Sequence, residues 1–147
     1  MAGRVVQIMP RTHYEFSSLP SGAAQLLVAA KDIDVSQYTE AALLVRLHSG
    51  QIGSGGNPKA KIEVMLVAVG NTPEDPGQDF VDLTPLATAT FEDTTVQGQE
   101  PPQFVVADVT SPAKMGSTVA VLVQGTQATG ATPIIDVHLS VDLVMKA

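Results

Sequence analysis

The sequence predicts an all-β chain: an antiparallel two-sheet β-sandwich, with jelly-roll topology as the leading arrangement and an immunoglobulin-like one second. Three observations lead there. Apolar residues recur with period two in several segments, the spacing of a strand with one buried face. Ten prolines and twelve glycines punctuate the chain at fairly regular intervals. No long amphipathic helical pattern alternates with the strand-like runs, which argues against a parallel α/β fold. The 147 residues fit one domain, 1–147, long enough to bury a core without covalent staples.

The elements follow in chain order. Val5–Met9, His13–Phe16 and Leu26–Ala30 are the first strand candidates. Val35–Ala42 has room for one helical turn capped by Ser36, with Glu40 too far along to complete a capping box. Leu43, Val45 and Leu47 then alternate with Leu44, Arg46 and His48. Ile62, Val64, Leu66 and Ala68 alternate with Glu63, Met65, Val67 and Val69. Leu86–Phe91, Phe104–Val109 and Thr118–Val123 are shorter runs bounded by turn formers. The C-terminal segment is the clearest. Ile135, Val137, Leu139, Val141, Leu143 and Met145 share one face, and Asp136, His138, Ser140 and Asp142 share the other. Turn-forming residues separate these runs at Leu19–Gly22, Gly50–Pro58, Gly70–Gly77, Gly98–Pro102, Ser111–Pro112 and Gly125–Pro133, giving about eight or nine strands.

Composition narrows the function classes. Hydrophobic residues make up 44% of the chain but aromatics only 4%, with no tryptophan, so the core is aliphatic. The net charge of -7, with eight scattered lysines and arginines, disfavours nucleic acid and anionic membrane surfaces as partners. The absence of cysteine excludes disulfides and thiolate metal sites. No run approaches the ~20 apolar residues of a membrane-spanning helix. Met1–Pro10 lacks the apolar stretch of a signal peptide, so the expectation is a protein made in the cytoplasm without export, a trait that a virion component would share.

Four candidate sites arise. Gly50–Lys59 (GQIGSGGNPK) has the glycines and lysine of a phosphate cradle. It lacks the GxxxxGK[ST] spacing, and the segment after it reads as a strand, so the expectation is a loop. Glu74, Asp75, Asp79 and Asp82 offer carboxylate oxygens for calcium, without the DxDxDG spacing. The competing reading is a solvated acidic loop. His13, His48 and His138 lie on three separate strand candidates, and zinc would require their convergence. Asp136 and His138 are the one close pair of ligand types, and a solvent-facing row is the competing reading. Gly53-Ser54-Gly55 lacks the GxSxG elbow, and there is no cysteine nucleophile. The expectation is therefore no enzyme, no metal site and no cofactor.

Asp32–Leu47 (DIDVSQYTEAALLVRL) resembles the strand-leading segment of galactose-binding-like and carbohydrate-binding-module jelly rolls. The resemblance covers about a tenth of the chain and implies a jelly-roll sandwich and glycan binding. Those modules stack sugars on aromatic faces. Here only Tyr14, Tyr38 and four phenylalanines are available, and no site residue carries over.

Ala41–Leu47 and Val64–Val69 carry apolar residues on both strand faces, and an antiparallel strand of that kind needs cover on its outer side. A homo-oligomer supplies it, with Leu44, Met65, Val67 and Val69 as the expected interface. The function expected first is a non-enzymatic structural protein that self-associates as a trimer or larger. A phage or viral capsid or head-decoration component is the fold-level analogy. The alternative is a carbohydrate- or other ligand-binding module using calcium in the acidic loop. A metal-dependent enzyme built on His48, His138 and the strand aspartates ranks third.

Overall fold

The computed structural model describes residues 3–16, 24–52, 60–68, 85–92, 99–100, 102–110, 112, 115–127 and 135–147. Strands fill most of them: β1 (Arg4–Glu15), β2 (Ala24–Asp34), β3 (Glu40–Ile52), β4 (Ala60–Ala68), β5 (Ala87–Glu92), β6 (Gln99–Glu100), β7 (Gln103–Asp108), β8 (Thr118–Gln127) and β9 (Ile135–Lys146). No helix among these residues is long and apolar enough to cross a membrane.

The pairing is antiparallel throughout. A front sheet has the order β1-β9-β3, with β6 and β7 sharing the far edge of β3; a back sheet has the order β2-β8-β4-β5. The pairs β1·β9, β2·β8, β3·β7 and β4·β5 run the first half of the chain against the second. That ribbon is rolled so that successive pairs fall in alternate sheets, and the pairings β9·β3 and β8·β4 complete each sheet. This is the jelly roll expected from the sequence.

One buried cluster draws on both sheets, including Leu43 and Val45 of β3, Val64 and Leu66 of β4, Val121 of β8 and Leu139 of β9. The alternation in β9 is realised in full: all six of its odd-numbered apolar residues are buried. Each such side chain removed from water stabilises the fold by about 1.5–3 kcal/mol.

Four local expectations are corrected in whole or in part. Val5–Met9 and His13–Glu15 lie on one strand, β1, which runs through Pro10, and Phe16 follows its end. Proline is tolerated because β1 is an edge strand and its ladder shifts register between Gln7 and Met9 and between Met9 and Thr12. Val35–Ala42 holds one hydrogen-bonded turn, the Tyr38 N–H donating to the Val35 carbonyl at 3.0 Å, but no helix. The Asp34 carboxylate accepts the Ser36 backbone N–H at 2.9 Å and its hydroxyl at 2.6 Å, a side-chain turn that competes with helix. The chain then re-enters a strand at Glu40.

Gly50, Gln51 and Ile52, read as the start of a loop, belong to β3; the rest of that stretch, 53–59, lies outside the described residues. Gly50 has φ +148°, and a Cβ there would meet the Asp136 carbonyl oxygen and, at 2.6 Å, the Val137 Cα. Glycine is required by the close approach of β9. Gln99–Glu100, read as part of a turn, pairs with this end of β3.

Candidate functional site

The outer face of the front sheet concentrates the exposed chemistry. Register sets Val106, Leu44, Asp142 and Gln7 in one row, and Asp108, Ala42, Val144 and Val5 in the next. Val5, Phe104 and Val106 are 66%, 51% and 53% exposed, beside half-buried Leu44 and Val144. The Arg46 guanidinium lies 4.9 Å from the centre of the Phe104 ring, a cation–π contact at the end of this apolar patch. Arg11, His48 and Gln103 join Arg46 and Phe104 around a shallow basin there.

Further along the same face, three metal-ligating side chains meet. His13 of β1 stands opposite His138 of β9 in the register, and Asp136 is two residues before His138 on the same face. The two imidazoles stack with centroids 4.7 Å apart and planes 15° from parallel. His13 Nε2 pairs with Asp136 Oδ1. One ligand atom from each of the three residues lies within 4.8 Å of the others. His13 and Asp136 remain half-open to solvent.

His48 does not join this group. It occupies the register shift of β3 between Leu47 and Ser49, and the bulge aims its Nε2 at Ser140 Oγ, 2.8 Å away. Among the described residues no carboxylate is paired with His48. The sequence offered the three histidines as a set that zinc would need to converge, and Asp136 with His138 as the one close ligand pair; the fold brings His13 to that pair and leaves His48 out. The His48–Ser140 contact had no signal in the sequence, because 92 residues separate the two.

The other expected site residues fall in different places. Leu44 lies on the open apolar face. Met65 and Val67 project from the outer face of the back sheet, but with Ala120 and Leu122 they form a second buried cluster within the one chain. Val67 is 0% exposed, so it offers a neighbouring molecule no surface. Val69 and the calcium candidates Glu74, Asp75, Asp79 and Asp82 lie outside the described residues.

No family model and no curated protein matches the chain. Solved structures do match in fold. A chain from the structure of infectious bursal disease virus, Gx strain, is similar over 98% of this chain and 32% of its own, at 14% identity and TM-score 0.51. An aminopeptidase from the marine sediment archaeon Thaumarchaeota archaeon is similar over 99% of this chain and 37% of its own, at 7% identity and TM-score 0.50. A carbohydrate-binding module specific for non-crystalline cellulose covers 92% and 73%, at 12% identity and TM-score 0.44. The chain spans about a third of the length of the first two, and at these identities the likeness is one of fold.

Proposed function

We propose that this chain is a non-enzymatic structural protein that self-associates through its front sheet, as a cytoplasmically made unit of a virion shell or of its decoration. The observation that carries this reading is the exposed apolar patch of Val5, Phe104 and Val106 beside Leu44 and Val144. Apolar side chains standing in water on a flat sheet face are unfavourable in a lone molecule, and a second copy removes them from solvent. Where the patch meets a different part of the next copy and the rotation closes, the assembly is a trimer or a larger ring. The fold likeness to the virus chain supports the shell assignment by analogy only.

Light scattering across a concentration series, with and without chelator, tests the reading. The expected mass is that of a trimer or larger particle and ignores chelator. A monomer at every concentration would sink it.

One observation favours a second reading, a ligand-binding module. The basin of Arg11, Arg46, His48, Gln103 and Phe104 combines an aromatic side chain with guanidinium donors, a set that suits a polar or sugar ligand. A monomer that binds on a glycan array, and loses binding with Phe104→Ala, would put this reading first.

A further inference from the structure

We propose that His13, Asp136 and His138 form a binding site for a divalent transition-metal ion, with zinc the natural occupant. The site is independent of the assembly reading. It rests on strand register. Opposed positions on paired antiparallel strands bring side chains within about 5 Å at Cβ, and residues two apart on one strand share a face. His13 and His138 satisfy the first relation and Asp136 and His138 the second.

The donor set selects the metal class. Two imidazoles and a carboxylate suit zinc, cobalt, nickel or copper, whereas calcium and magnesium demand oxygen ligands throughout. Tetrahedral zinc with bonds of about 2.0–2.1 Å needs donor atoms roughly 3.3 Å apart. The three donors already lie within 4.8 Å of one another, and their paired backbones fix where they start. Small rotations about exposed side-chain bonds bring them to that spacing. The ion takes the place of the contact between His13 Nε2 and Asp136 Oδ1, and the two rings tilt out of their stack. Neighbours offer second contacts: Ser49, opposite His138 on β3, accepts a hydrogen bond from Arg11, and Glu15 stands opposite Asp136 on β1. Three protein ligands leave a fourth position open to solvent. The bound ion would tie edge strand β1 to β9 beyond the two bulges.

The test uses the full chain after chelator treatment. Co2+ is titrated with visible absorption as the readout, followed by displacement with Zn2+, and Zn2+ binding is measured by calorimetry. One equivalent is expected to bind with a tetrahedral or five-coordinate cobalt spectrum and a saturable rise in melting temperature. His138→Ala and Asp136→Asn should each weaken Zn2+ binding roughly tenfold or more, and His48→Ala should leave it unchanged. His13→Gln, at the exposed sheet edge, provides a variant that keeps the fold, verified by circular dichroism. No saturable uptake of either ion, or binding that survives both His13→Gln and His138→Ala, would overturn the proposal.

Discussion

The ring of Phe16 lies against the α-carbon of Gly125, so that a methyl group at position 125 would stand 2.9 Å from two ring atoms. Phe16 follows β1 at the edge of the front sheet, and Gly125 sits in β8 of the back sheet. The missing side chain is what lets Phe16 bury itself to 2% exposure across the sandwich. Gly125→Ala is expected to cost about 1–3 kcal/mol through overpacking. Adding Phe16→Leu should recover part of that loss, as measured by chemical denaturation of both single variants and the pair. Additive losses would show that the two residues do not constrain each other.

Charge on the outer face of β4 acts on the fold before it can act on assembly. Val67 is fully buried within its own chain, beside the apolar side chains of Met65, Ala120 and Leu122. Val67→Asp is expected to destabilise the folded chain by roughly 3 kcal/mol or more. Thermal unfolding of a dilute sample checks it; a wild-type melting temperature with only the oligomer lost would show that the site is a true interface.

The opposite outcome is expected on β7. Val106 stands out of the front sheet with about half its surface in water, so Val106→Asp should change stability by no more than about 0.5 kcal/mol. The same change places a charge beside Leu44, its cross-strand partner, in the patch that self-association would cover. The mass in solution is expected to fall to that of the monomer while the circular dichroism spectrum stays unchanged.

Acid affects the turn between β2 and β3. The hydrogen bonds from Ser36, the hydroxyl first and the backbone N–H second, hold the Asp34 carboxyl below its usual range. A carboxyl with a depressed folded pKa contributes stability above its unfolded pKa and loses it as pH falls through the folded value. Asp34 is fully solvent-exposed, so the contribution is small. Ser36→Ala should move the Asp34 titration upward toward the ordinary aspartate range, read from its side-chain carboxyl resonance. An unmoved titration would assign the shift to something other than the Ser36 hydroxyl.

The sequence by itself determined that the chain is built of antiparallel strands and which face of each clear strand turns inward. Alternation is a property of the extended backbone, and β9 carries it without interruption, so its six core residues were legible from spacing alone. Legibility failed where register or covering mattered. Pro10 reads as a break, yet an edge strand with two bulges absorbs it. Those bulges also compose the histidine cluster. Extending the Val6–Leu143 and Gln7–Asp142 register unbroken would set His13 opposite Asp136; two inserted residues set it opposite His138, with Asp136 on the diagonal. The bulge in β3 turns His48 to Ser140 instead. Both faces of β4 read as apolar, and only the folded chain decided that Met65 and Val67 on its outer face are already covered while Phe104 and Val106 on β7 are open. The physical reason is common to these cases. Periodicity belongs to one strand, whereas register and cover come from contacts between segments far apart in the chain, which no local spacing encodes.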